Sequence, residues 1–307
     1  MDPTYLTYLM YPTYRRGVIL RRMFKRQTTG SVVCASCGYL VGVRDDRCYH
    51  CGRRNPGLWG FAPVLRSLGQ DLGFVPLVTS ISTIAYVASL VMSVGNIGMS
   101  GFNFLSPDSC ALLNIGASGA APVFALHRWW TVLSAAWLHG SLLHIVLNMY
   151  WVRQLGPAVA EFYGPGRMVI IYTAGAIVGF TASSAAGMFL WFMPPMLRGG
   201  ILTVGASASI FGLLGALVYY GRRGGSSLVY SQAMTYAVMM FVFGLMMQGI
   251  DNYAHAGGFL GGWLAGRVLD PLHPERINHM LIAVILLALS ILSILVSLLL
   301  PVGPPLC

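Results

Sequence analysis

Seven apolar runs, at approximately residues 77–95, 134–153, 167–190, 205–221, 232–249, 253–269 and 279–300, dominate this 307-residue chain. About 20 mostly apolar residues suffice for a helix to cross the hydrocarbon core of a bilayer. In lipid the backbone must satisfy its own polar groups, so runs of this length fold as helices. The pattern therefore predicts an all-α polytopic membrane protein. Composition agrees, with 56% hydrophobic residues, 9% charged residues and a mean hydropathy of +0.69, where a soluble domain carries about 25% charged residues. The 37 glycines suit close approach of helices in lipid. No short internal repeat is present, which excludes a solenoid.

The net charge of +10 follows the loops between these runs, which argues against nucleic acid as a partner. Lys and Arg concentrate on the cytosolic side of membrane proteins. With the N-terminus inside, Arg153, Arg167, Arg222, Arg223, Arg267 and Arg276 all fall inside, and only Arg128 and Arg198 fall outside. Seven spans then leave the C-terminus outside. Residues 1–30 form a basic arm in which Arg15, Arg16, Arg21, Arg22, Lys25 and Arg26 follow or interleave with Tyr5, Tyr8, Tyr11 and Tyr14. It is either solvated or laid on an anionic inner leaflet. That arm lacks a clean apolar core for a cleavable signal peptide, so targeting is expected through the first span. Residues 31–57 hold a cysteine cluster and residues 58–76 a linker. The stretch 96–133 is too polar to span, and its Trp129 and Trp130 suit an interfacial position. The architecture is compatible with a bacterial inner membrane.

Polar groups at membrane depth are expensive and mark function. The run Gly205-Ala206-Ser207-Ala208-Ser209-Ile210-Phe211-Gly212 and the run Asp251-Asn252-Tyr253-Ala254-His255-Ala256-Gly257-Gly258 each open an apolar segment. Both segments run from outside to inside, so Ser207 and His255 are expected in the outer half of the bilayer at one height. Serine needs an adjacent base to act as a nucleophile, and His255 is the candidate. Phe211, four residues after Ser207, shares its helix face and is placed to pack on the imidazole. Gly212 and Gly215 follow Ser207, and Gly258 and Gly262 form a small ridge one turn below His255, so the two helices can approach closely. In the second span, His144 and Asn148 are four apart on one face. With the Ser207 backbone N–H they could bind a developing oxyanion. His139, five residues earlier, reads as structural, tying the long first loop to the helix top. Singly, the serine could bond back to its own helix and the histidine could be an interhelical hydrogen-bond partner. Their conjunction at one depth on three spans favours a site.

These runs resemble the rhomboid intramembrane serine proteases over roughly residues 77–270. The family's G-x-S-G-x-x-x-G corresponds to Gly205, Ser207 and Gly212, its H-x-x-x-x-H-x-x-x-N to His139, His144 and Asn148, and its A-H-x-x-G-x-x-x-G to Ala254, His255, Gly258 and Gly262. The resemblance implies a bundle of six core spans with an additional C-terminal helix at 279–300, the "6+1" form. It implies a Ser–His dyad without a third acidic member, no cofactor for catalysis, and single-span transmembrane substrates unwound near the cleavage site. Two positions depart from the family. Ala208 replaces the glycine after the nucleophile, where a methyl could narrow the oxyanion site, and Thr131 follows Trp130 where the family often has arginine.

Cys34-x-x-Cys37 and Cys48-x-x-Cys51 are ten residues apart, each pair followed by a glycine, Gly38 and Gly52. Four thiolates at this spacing close a tetrahedral site, so a structural Zn²⁺ in a small ribbon is expected. A segment this short cannot bury enough core without such a staple. In the reducing cytosol, metal is favoured over disulfide. His50 could substitute as a ligand, though Cys51 is better placed. Arg44, Arg47, Arg53 and Arg54 suit an acidic protein partner of the ribbon. Cys110 and Cys307 fall outside and receive no role.

The reading that follows is an intramembrane serine endopeptidase cleaving transmembrane helices near the outer face. The alternative is a catalytically inactive rhomboid-like protein that binds transmembrane clients, with Ala208 in its favour. A transporter fits less well, because interior acidic residues are nearly absent and Asp251 sits at a helix mouth.

Overall fold

A computed structural model describes residues 26–307 except 36, 67–68, 195–197, 248 and 304–306, so nearly all of the predicted basic arm lies outside the described residues. The chain divides into two compact units, residues 1–72 and 73–307.

In the first unit, β1 (Ser31–Val33) pairs antiparallel with β2 (Leu40–Gly42), Val32 opposite Val41. Cys34 and Cys48 are buried with Val32, Val41 and Val43 in a core of only these few side chains. A short helix, Ala62–Arg66, follows.

The second unit contains seven helices of 17 or more residues: α1 (Phe74–Met92), α2 (Leu142–Tyr163), α3 (Pro165–Phe189), α4 (Ser207–Arg223), α5 (Ser227–Met246), α6 (Asn252–Val268) and α7 (Ile277–Leu299). Each predicted run overlaps one of them. Taken alone, α1, α3, α5 and α7 are long and apolar enough to cross a bilayer. The segment Thr131–Trp137 together with α2 would make a fifth, broken by a 94° bend. At 17 residues each, α4 and α6 reach about 26 Å at 1.5 Å per residue, just short of the ~30 Å core. They are rich in glycine and largely buried among the other helices, so they have little need to match the lipid. Together these helices make an integral, polytopic membrane protein.

The second helix starts later than the apolar run suggested. The run 134–153 straddles the bend, and α2 begins only at Leu142, where the Ser141 side chain accepts from His144 N at 3.3 Å and caps the helix. It then continues past Arg153 and through Pro157 to Tyr163.

At the centre, α3, α4 and α6 touch backbone to backbone. A Cβ on Gly262 of α6 would lie 1.9 Å from the Gly212 carbonyl oxygen of α4, and one on Gly258 would lie 2.2 Å from that of Ala208. Only hydrogen fits there, which is the small-residue packing membranes favour. By contrast α5 exposes Val238, Met239, Val242 and Phe243, a surface whose solvent is lipid.

The stretch 96–133 is folded. Asp108 caps a helix over Ser109–Ile115. Ser118 bridges Thr203, and Ala120 N bonds to Gly200 O at 2.9 Å, so this loop pairs with the segment leading into Ser207. Arg128 is buried. Its guanidinium donates to Leu113 O and Ser297 O at 2.9 and 3.0 Å, while Trp130 Nε1 donates to Ser297 Oγ at 3.0 Å. The loop therefore has a buried arginine beside Trp130, on the N-terminal side of that tryptophan, and Thr131 donates to Arg128 O at 2.7 Å. Cys110 and Cys307, which the sequence left without a role, form a disulfide with Cα atoms 5.5 Å apart. A separation of 197 residues gives no local spacing from which to read it. At the opposite end of α7, buried Arg167 donates to the carbonyls of Leu269, Asp270 and His273, and its backbone N–H to Glu275. The C-terminal helix is thus fastened at both ends.

Candidate active site and cysteine cluster

Ser207 is the first residue of α4, and the first i to i−4 bond of that helix runs from Ile210 N to Ala206 O. The backbone N–H groups of Ser207, Ala208 and Ser209 therefore lack intrahelical acceptors, and the positive end of the helix dipole points at the serine. His255 lies in the first turn of α6, capped by Asp251. Its Nε2 is 2.9 Å from Ser207 Oγ. Phe211 stacks on the imidazole with centroids 4.3 Å apart and planes 15° apart, which fixes the ring's plane. His255 is buried and Ser207 half-buried.

His144 stands beside them. Its Nδ1 accepts from Gly140 N at 3.2 Å, which leaves the proton on Nε2. A Cβ on Gly205 would sit 2.6 Å from that Nε2 and 3.7 Å from Ser207 Oγ, so donor and nucleophile border one small space. Gly205, at φ +131°, leaves that space open. Buried Asn148 donates one amide hydrogen to His144 O at 2.8 Å and keeps a second. His139 is fully buried, its ring edge-on to His144 at 5.2 Å. The first loop is tied to the top of α2 through its neighbours: Ser106 Oγ donates to Gly140 O at 2.7 Å and Leu142 N to Phe104 O at 3.2 Å. The Ala208 methyl is wholly buried; a Cβ on Gly179 of α3 would come within 2.9 Å of it.

This arrangement brings together a hydroxyl, an imidazole able to take its proton, and N–H donors at a helix start. That is the equipment of nucleophilic acyl transfer. Residues 126–272, which contain all of these groups, match the Rhomboid domain family. That segment of the chain is a Rhomboid domain by this match. It is similar to Rhomboid protease GluP of Bacillus subtilis (strain 168), 32% identical over 173 residues that make up 55% of this chain and 32% of that protein. It is also similar to RHOMBOID-like protein 7 of Arabidopsis thaliana, 31% identical over 180 residues, 56% of this chain and 52% of that one. Rhomboid-like protease 3 of Toxoplasma gondii is 26% identical over 191 residues, 60% and 65% of the two chains. The chain spans between a third and about half of the length of the first curated relatives it matches.

In the first unit the four sulfurs of Cys34, Cys37, Cys48 and Cys51 lie within 4.8 Å of one another, with Cys34–Cys51 at 3.8 Å and Cys37–Cys48 at 3.6 Å. Sulfurs about 2.3 Å from one tetrahedral metal are roughly 3.8 Å apart, so the cluster could hold such an ion. Two equivalent knuckles build it. Cys34 N bonds to Tyr39 O and Cys48 N to Arg53 O, and Gly38 and Gly52 turn at φ +79° and +70°. His50 lies outside the cluster, stacked on Tyr39 at 3.7 Å. Burial pushes the Cys37 thiol up to about 12 and raises Cys51 as well. At Cys48 burial acts the same way, but the backbone amides of Cys51 and His50 outweigh it and bring the thiol down to about 7. Sulfurs this close ionise together only around a cation.

Proposed function

We propose that the rhomboid domain is an intramembrane serine endopeptidase. Ser207 attacks the scissile carbonyl of a single-span transmembrane helix near the outer membrane face. His255 takes the serine proton and then delivers it to the leaving amine. The Nε2 proton of His144, the free amide hydrogen of Asn148 and the Ser207 N–H hold the oxyanion, with no cofactor in the step. The observation that supports this most is the 2.9 Å contact between Ser207 Oγ and His255 Nε2, with Phe211 flat on the ring. Two of the relatives carry the word protease in their names. The buried Ala208 methyl, packed against Gly179, weighs against the client-binding alternative, which rested on that methyl crowding the oxyanion site.

The remaining assignments belong to the same reading. All seven long helices cross the membrane, as six core spans and a seventh at the C-terminus, with the N-terminal unit cytosolic, the C-terminus outside and a bacterial inner membrane as the setting. Zinc on Cys34, Cys37, Cys48 and Cys51 is structural, since four thiolates leave no open position. The ribbon takes an acidic protein partner. A cavity of about 630 Å³ there is lined by Arg26, Arg44, Arg47, Arg54 and Trp59 together with Asp45 and Asp46, so its lining keeps a positive excess, and none of these arginines forms an ion pair among the described residues. Arginine forks in that number match carboxylate groups.

The test is labelling of the purified protein with a fluorophosphonate probe beside Ser207→Ala and His255→Ala. Labelling that both changes abolish, with helical content kept, is expected. A folded wild type that stays unlabelled and leaves a transmembrane substrate intact would overturn the protease reading in favour of client binding.

A further inference from the structure

Ser207 and His255 come from different helices, and their 2.9 Å separation must be set by something that grips both. Asp251 is placed to do so. It is the residue before α6, and its Oδ1 accepts from Ala254 N at 3.0 Å, while its carbonyl accepts from His255 N at 3.1 Å. That fixes the turn carrying the imidazole. Its Oδ2 accepts from the hydroxyl of Ser183 on α3. The same hydroxyl accepts from Gly200 N at 2.9 Å. A serine hydroxyl has a single proton, and that proton goes to Asp251, so the chain of donors runs one way from Gly200 through Ser183 to the carboxylate. A Cβ on Gly200 would lie 2.9 Å from Oδ2, so the loop reaches the carboxylate only because residue 200 is glycine.

Gly200 begins the segment that ends at Ser207. Ala120 N on its carbonyl, the Ser118–Thr203 bridge and Gly205 N on Ala135 O hold that segment onward to the serine. One carboxylate thus joins the histidine's helix, α3 and the serine's loop. It does not reach the imidazole: His255 Nδ1 finds no hydrogen-bond partner among the described residues. We propose that Asp251, acting through Ser183, is the positioning residue that sets the Ser207–His255 distance. The inference rests on the protease reading for its consequence in rate, though the geometry it describes does not.

Asp251→Ser separates capping from clamping. Serine still caps a helix by accepting from the third residue on, but it offers no second acceptor to Ser183. Ser183→Ala breaks the relay from the other side. Both variants are expected to keep the thermal midpoint within a few degrees. Both should lower the fluorophosphonate labelling rate and the kcat of substrate cleavage about 10-fold while KM moves less than twofold, because a displacement of an ångström or less costs rate rather than binding. The double variant should be no slower than either single one, since the two side chains act as one link. A second readout does not depend on activity: diethyl pyrocarbonate modification of His255, followed by mass spectrometry, should run several-fold faster in both variants. Unchanged labelling and unchanged His255 modification in a folded Asp251→Ser or Ser183→Ala protein would overturn the proposal. A wild type that never labels would instead sink the protease reading, and the modification rates would still decide the positioning role.

Discussion

Gly205 has little freedom beside the candidate dyad. Its φ of +131° is a backbone conformation that side chains resist, and an added methyl would meet His144 Nε2 at 2.6 Å. Gly205→Ala is therefore expected to displace the His144 donor and lower the fluorophosphonate labelling rate at least ~10-fold with the fold retained, a loss of about 1.4 kcal/mol in transition-state stabilisation or more. On the proposed mechanism Asn148→Ala removes one of several oxyanion donors, so a residue of activity should survive: about a 100-fold fall in kcat, read by substrate cleavage, against complete loss for Ser207→Ala. The serine and histidine stood out through the glycine-flanked runs that hold them, and Phe211 one turn below Ser207, and Asn148 one turn below His144, could be read from the sequence because each pair is fixed by spacing along one helix. The Ser183–Asp251 contact could not. It joins residues 68 apart on different helices, and a lone serine on an apolar helix looks like any other. The sequence placed Asp251 only at a helix mouth. The concern over Ala208 depended on which way one methyl points, and spacing does not encode that.

The seam between α4 and α6 decides whether two helices of only 17 residues can stand side by side. With the Gly212 carbonyl oxygen 1.9 Å from where a Cβ on Gly262 would be, even Gly262→Ala must push the helices apart. Overpacking of this kind costs about 1–3 kcal/mol, and here backbone rather than a flexible side chain would have to move. A lowered thermal midpoint in detergent, with weaker labelling of Ser207, is the expected outcome; an unchanged midpoint would mean that the helices are not in backbone contact. The Gly258–Gly262 spacing announced this seam in the sequence. The 94° bend before α2 went unannounced, because Ala135-Ala136-Trp137-Leu138 is as apolar as the helix after it and hydropathy does not register a change of direction. The end of that helix was missed for the opposite reason. Arg153 and Pro157 look like a stop, yet Pro157 is carried inside the helix.

The whole chain joins a unit built on lipid to one with almost no core of its own. Val32, Val41 and Val43 with two cysteines cannot by themselves stabilise the first unit, so its folding should follow its metal. A strong chelator is expected to release one zinc per chain and abolish amide protection around β1 and β2, while Cys48→Ser should fail to retain zinc at all. The thiol of Cys37, held near 12 by burial, must lose its proton when metal binds. Protons therefore compete with zinc, and affinity should weaken from pH 8 to pH 6 in a zinc titration; an affinity indifferent to pH would argue against thiolate ligation. The two knuckles were readable, since cysteine spacing is a local signal. The pairing of Cys110 with Cys307 was not, and it changes what the molecule is as a covalent object. The bond makes residues 110–307 a closed ring that contains six of the seven long helices. Such a ring closes only if an even number of membrane passes separates its two sulfurs, and the proposed six passes would meet that condition. A single cut anywhere in the ring leaves one molecule, and the two pieces separate only when the disulfide is reduced.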